Sequence, residues 1–240
     1  MWFRGVTSAE YKLEPSLYRG FSDTAYALAE EDELRLQFQR QGRQMLGTQQ
    51  QPRDEWEWYF LMRHYGAPTR LLDWTDGALI GLHFAIADDR ALHGDHGDDR
   101  AVWVLEPQWL NSHVLDNDSI MLPTFPQAAT YLPPVFEGVT VTPEYPIAID
   151  PPHVAPRVAV QRSRFTIHGN KADGLELVSG KSGSNTRLFK IIIPGKEVMN
   201  VRKQLLQCGI SCTTLFPDLD ALSKELFDYL DRLRARILKH

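Results

Sequence analysis

The stretch "MRHYGAPTRLLDWTDG", Met62–Gly77, decides how the rest of the chain is read. Its sixteen residues hold a histidine, two arginines, two aspartates, two threonines and a tryptophan. Gly66 suits the position just past a helix end, and Pro68 forbids the helix from continuing. The segment after Pro68 therefore reads as short extended chain. Alternation then puts Thr69, Leu71 and Asp73 on one side and Arg70, Leu72 and Trp74 on the other. Arg70 and Asp73 do not pair with each other on that reading, so each needs a partner from elsewhere or a ligand.

Working outward, "EWEWYFLMRHY" reads as a helix capped by Asp54, with Trp56, Tyr59, Phe60 and Arg63 on one face. A longer helix is expected over 23–47, with Leu34, Phe38, Met45 and Leu46 as its apolar positions. Downstream, "DGALIGLHFAIADD" reads as a helix with almost no polar face, started by Asp73 or Thr75 and expected to be inaccessible from Ala78 to Ala87. Strands are expected at "AVWVLEP", "YPIAID", "RVAVQ", "RFTIHG" and "LFKIIIP". "GKEVMNVRKQLLQCG" reads as a helix closed by Gly209, and an amphipathic helix is expected from about 218 to 238. From about 111 to 156 the pattern dissolves, with nine prolines between Pro123 and Pro156, which reads as a long loop; "SGKSGSN" reads as another flexible stretch. The expected fold is α+β: a single domain over 1–240 with a central mixed or antiparallel sheet flanked by helices.

Composition narrows the function classes. The formal charge of -5 argues against a nucleic-acid backbone binder, which carries a basic stripe. No run of eighteen apolar residues is present, so no membrane span is expected. "MWFRGVTSAE" lacks the apolar core of a secretory signal, which makes the cytoplasm the expected location. The motif that starts at Trp2 leaves room for an upstream segment. Cys208 and Cys212 read as reduced thiols. "HGDHGDD", His93–Asp99, reads as a solvated loop rather than a metal site, and no metal or cofactor is expected.

Four islands carry a resemblance. They are "WFRG" (Trp2–Gly5) with "LEPSLYRG" (Leu13–Gly20); "HYGAPTRLLDWT" (His64–Thr75) followed by "ALIGLHFA"; "RVAVQRSRFTIHG" (Arg157–Gly169); and "GI" (Gly209–Ile210) with "LFPDLDAL" (Leu215–Leu222). Together they resemble the FRG domain family from Trp2 to about Ala221. The chain departs from the family pattern at Arg63, where glutamine is usual, and at Ser163 and Ala221, where glycine is usual.

The resemblance implies a nucleotide- or NAD-related site and a layout similar to a remote relative of the ADP-ribosyltransferase fold. On that reading the catalytic group is Arg4, Thr69 and Gln161. Arg4 would clamp a pyrophosphate, Thr69 would position the nicotinamide ribose, and Gln161 or a nearby carboxylate would stabilise an oxocarbenium-like transition state. Arg19, His64, Tyr65, Arg70, Asp73 and Phe165 would bind ligand, although a phenylalanine such as Phe165 is more often core than a stacking platform. Gly5 would let the backbone approach the ligand closely. Asp218 and Asp220 would form a structural network with Arg70, one of them capping the last helix.

NAD is the candidate substrate, of ADP-ribosyltransferase or NAD glycohydrolase chemistry. The competing reading is a non-catalytic sensor or interaction module for a nucleotide or protein target in a stress or antiphage system. A nuclease fits worst, because no PD-(D/E)xK string is present. The expected geometry brings Arg4, His64, Thr69, Arg70 and Gln161 around one cleft.

Overall fold

The computed structural model describes residues 1–47, 51–87, 98–132, 143–151, 162–182, 186–216 and 218–237. Six strands form one sheet: β1 (Trp2–Val6), β2 (Leu71–Thr75), β3 (Arg100–Leu105), β4 (Ile147–Ile149), β5 (Ser163–Ile167) and β6 (Leu188–Ile193). Their order is β4-β5-β2-β1-β3-β6, and every neighbouring pair is antiparallel. The fold is α+β, as expected.

The pairing is uneven at the centre. β1 meets β3 at five register positions but meets β2 at one, Phe3 opposite Thr75. The sheet thus consists of two well-paired halves joined along a short seam.

The alternation read in β2 is present. Leu71 packs with Trp56, Tyr59, Phe165 and Ile167 in one core cluster, while Leu72 and Trp74 pack with Trp2, Leu105 and Trp109 in another. The helix before it, α2 (Glu55–His64) after α1 (Thr24–Met45), begins and ends as its sequence dictates. Asp54 Oδ1 accepts from Glu57 N at 2.8 Å, and Gly66 follows the Tyr65 cap at φ 77°, a conformation glycine adopts without strain.

Several elements differ from the sequence expectations. Helix α1 buries Ala27, Glu31, Arg35 and Gln39, an i, i+4 row that is mostly polar, while Met45 is exposed. Helix α3 (Ala78–Ile86) is not inaccessible: Ile80, Gly81, Ala85 and Ile86 are buried against the sheet, but Leu79 is 44% exposed. Gly77, without a side-chain cap bond, precedes α3, and Thr75 Oγ1 accepts from Gly77 N at 3.1 Å.

Pro107 does not merely end β3. It occupies the first turn of helix α4 (Pro107–Leu115), where its missing N–H has no helical partner to lose. The expected long loop is therefore broken by α4, by the short helix α5 (Pro126–Ala129) and by β4. Buried Asn111 locks this region to the sheet: Nδ2 donates to Ser119 O and Ala148 O, and Oδ1 accepts from Ala148 N at 2.7 Å. Helix α6 (Gly174–Ser182) covers the start of the stretch read as flexible. The remaining helices are α7 (Val198–Gln207), α8 (Cys212–Leu215) and α9 (Leu219–Ile237). The residues 133–142 and 152–156 of the expected loop, the "RVAVQ" strand and most of "HGDHGDD" lie outside the described residues. No helix among the described residues is long and apolar enough to cross a membrane.

Candidate anion site at the strand seam

Arg70 is the first residue the structure separates from the rest. It is fully buried, and its Nε donates to both Glu31 oxygens at 2.8 Å. Nη1 donates to His168 O at 2.9 Å and Nη2 to Tyr131 O. Tyr59 Oη donates to Glu31 Oε1 and accepts from Arg70 N at 2.8 Å. The result is a buried ion pair that joins α1, α2, β2 and the end of β5.

Burial alone would lower the Arg70 pKa, but Glu31 outweighs it and the net shift is upward. Arg70 is therefore structural, not ligand-binding. Its partner is Glu31, not Asp218 or Asp220. Asp218 instead caps α9, its Oδ1 accepting from Ala221 N at 2.8 Å, and Asp220 lies in the first turn of that helix.

Two further assignments change for the same reason. Thr69 is fully buried; its Oγ1 accepts from Leu71 N at 3.4 Å, and its carbonyl accepts from Leu17 N at 3.2 Å. It ties the Leu13–Gly20 segment to the sheet and has no open side for a ribose. Phe165 is buried in the core, its ring centroid 5.0 Å from that of Phe60. Gln161 lies outside the described residues. The expected single cleft of five residues is thus not assembled among the described residues, because Thr69 and Arg70 belong to the interior.

Asp73, Arg4 and Arg63 do come together. Arg63, in the last turn of α2, grips Asp73 Oδ2 through Nη2 and through Nε at 2.8 Å. Arg4 Nη1 donates to Asp73 O at 2.7 Å and lies 3.6 Å from Oδ2. Arg4 thereby crosses the seam where β1 and β2 share one register pair. The two guanidiniums are mostly covered, whereas the Asp73 side chain is 44% exposed.

The electrostatics are lopsided. Burial lowers the Arg4 pKa to about 10; Asp73 opposes that shift, and Arg63 and Arg19 add to it. Arg4 Nε is buried and has no hydrogen-bond partner among the described residues. Burial raises the Asp73 pKa, but Arg63 and Arg4 outweigh it and hold the carboxyl below its usual range. Two guanidiniums share one carboxylate, an arrangement suited to an added anion.

Arg19 is exposed, with Nη2 3.3 Å from Glu14 O. His64 and Tyr65 are also exposed and follow Arg63 directly, their rings edge-to-face at 5.1 Å. Arg63 was not among the expected site residues. Its signal was available in its position on the aromatic face of α2, ten residues before Asp73.

Buried His168 is a second residue that the motifs did not single out. Burial, then Arg70 and Arg4, push its pKa down to about 3, with the Leu13 backbone opposing. Folded chain keeps it neutral, while an unfolded histidine protonates below about 6.5. The unfolded state therefore binds more protons between these values, and stability falls as pH falls through that window. The expected slope from this group approaches ~1.4 kcal/mol per pH unit. Urea unfolding between pH 7 and about pH 4 should show His168→Phe with a flatter dependence than the parent chain; equal slopes would contradict the assignment.

A cavity of about 400 Å³ lies elsewhere, between α3, α7, α8 and the start of α9, lined in part by Phe84, Arg202, Phe216 and Lys224. It contains neither Arg4, Arg63 nor Asp73. Its lining mixes both charge signs, so the seam remains the better anion site.

Comparison with known proteins gives one result: the family model described as FRG domain matches residues 1–93. That span contains Arg4, Arg19, Arg63, Arg70 and Asp73. No curated protein matches the chain, and no solved structure does.

Proposed function

From the match of residues 1–93 to the FRG domain family model, we propose that the chain binds the phosphates of a nucleotide-type ligand, NAD or ADP-ribose, at the β1–β2 seam. The observation that carries this reading is the charge balance. Arg4 and Arg63 both engage Asp73, and Arg19 stands near enough to depress Arg4 further. Guanidinium groups bind phosphate oxygens in a bidentate manner, and an anion seated here relieves the repulsion that Arg63 and Arg19 exert on Arg4. Exposed Tyr65 follows Arg63 and His64 in sequence and would meet the ribose or base.

Two uses of such a site remain distinct. An ADP-ribosyltransferase- or NAD glycohydrolase-type enzyme would stabilise the positive charge that develops at the ribose C1 as nicotinamide leaves, with Gln161 or a carboxylate near it. A nucleotide sensor of a stress or antiphage system would use the same arginines without chemistry. The burial of Thr69 favours the sensor, since one of three groups assigned to the chemistry has no open side.

Calorimetric titration with NAD, ADP-ribose and inorganic pyrophosphate tests the binding. Arg4→Ala should weaken the affinity about tenfold or more, the scale of losing a charged hydrogen bond. Its stability should change by no more than about 1 kcal/mol, because one hydrogen bond is lost while a desolvated cation is removed. Nicotinamide release from NAD would identify the enzyme, and binding without release the sensor. An absence of heat with all three compounds would overturn the proposal.

A further inference from the structure

The cavity on the far side of α3 has the build of a small-molecule site. Its volume of about 400 Å³ falls within the range such sites span. Its floor is apolar, with Ile86, Leu205 and Ala221 buried there. Two rings line it, Phe84 and Phe216, edge-to-face with centroids 6.0 Å apart. His83 adds a half-buried imidazole whose nitrogens have no hydrogen-bond partner among the described residues. Burial, then Arg202, lower its pKa, so it meets a ligand as a neutral ring with one donor and one acceptor.

The charged groups of the lining divide into those already engaged and those left over. Asp218 caps α9, Glu225 Oε2 accepts from Thr213 N at 3.2 Å, and Arg202 Nη2 donates to Ile86 O at 3.0 Å. Asp220 and Lys224 are exposed at the mouth of the cavity, one turn apart on α9. An acid four residues before a lysine is the spacing of a helical ion pair. Here the two do not pair, and neither makes a hydrogen bond or salt bridge among the described residues.

We propose that this cavity binds a zwitterionic α-amino acid with an aromatic side chain. The ligand's ring rests on the apolar floor beside Phe84 and Phe216, where aromatic rings pack edge-to-face or offset. Its ammonium pairs with Asp220 and its carboxylate with Lys224. The ligand carries these charges on either side of one carbon, a span that two side chains with Cβ atoms about 5–6 Å apart can bracket. A lone anion would meet Asp220, and a lone cation would meet Lys224. An uncharged aromatic would desolvate both without pairing either. A peptide end carries only one of the two charges. The cavity contains neither Arg4, Arg63 nor Asp73, so the proposal is independent of the anion site.

Calorimetric titration of the full chain with L-phenylalanine tests it, beside phenylpropanoate, which lacks the ammonium, and phenylethylamine, which lacks the carboxylate. L-phenylalanine should saturate a single site. Each analogue should bind about tenfold more weakly or worse, the scale of losing a charged hydrogen bond. Asp220→Asn and Lys224→Met should each weaken L-phenylalanine by a similar factor. Asp220→Asn should not weaken phenylpropanoate, and Lys224→Met should not weaken phenylethylamine. Both side chains are exposed, so melting temperatures should stay near the parental value. An absence of saturable L-phenylalanine binding overturns the proposal. So does equal binding of the singly charged analogues, or parental L-phenylalanine affinity in either variant.

Discussion

Arg70→Ala is expected to cost about 3–5 kcal/mol of folding stability, read as a lowered urea midpoint. The guanidinium is fully buried and holds Glu31, His168 O and Tyr131 O at once. Its removal strands the Glu31 carboxylate, itself only 2% exposed, with Tyr59 as its remaining partner in the network. Replacing both charges, as Arg70→Met with Glu31→Met, should cost much less than the two single changes summed, because no unpaired charge is left behind. A near-parental midpoint for Arg70→Ala would contradict the structural role. Additive losses in the double variant would show that the pair does not act as a unit.

Gly5→Ala should be comparably severe, at or above the roughly 3 kcal/mol upper end of ordinary overpacking. An added Cβ would lie 2.2 Å from Ala85 N and from Gly81 O, and 2.7 Å from Phe84 C. All three are backbone atoms of α3, so no rotamer change relieves the clash. Helix α3 would have to lift off β1 and open the cluster of Ala85, Ile86, Val102 and Ile193. The glycine of the "WFRG" motif thus admits a helix, not a ligand, which corrects the close-approach reading of Gly5. Gly47→Ala is the control: nothing lies within 4 Å of its added Cβ. Melting temperatures should fall steeply for the first variant and stay near the parental value for the second. A parental value for Gly5→Ala would contradict the observed helix–strand contact.

Local signals were legible where they act locally. The Asp54 cap, the Gly66 turn and the alternation of Leu71, Leu72 and Trp74 depend on neighbouring residues only, and all three are present. Helices α4 and α6 were missed because their sequences speak ambiguously. Pro107 ends a strand and starts a helix with equal ease, and "GLELVSGKS" carries two glycines and two serines.

The interior polar chemistry was less legible. Arg70 demanded a carboxylate, but nothing in its own neighbourhood names Glu31, 39 residues earlier on α1. The available clue was the Glu31, Arg35, Gln39 row, which carries polar groups at the period of a buried face. That Asp73 needed a partner from elsewhere was legible, while the identity of its guanidinium partners required the docking of α2 against β1 and β2.

The central claim is that the seam between β1 and β2 receives an anion through Arg4 and Arg63. Arginine side-chain NMR during an ADP-ribose titration tests it most directly, with each Nε–Hε signal assigned by substitution. Arg4 Nε has no partner among the described residues and Arg63 Nε is bound to Asp73, so an incoming phosphate must alter both environments. The expected result is a saturable shift of the Arg4 and Arg63 signals, with Arg70, sealed against Glu31, left in place. Saturable shifts confined to residues of the distant cavity, such as Arg202, or no shift at Arg4 and Arg63, would contradict the claim.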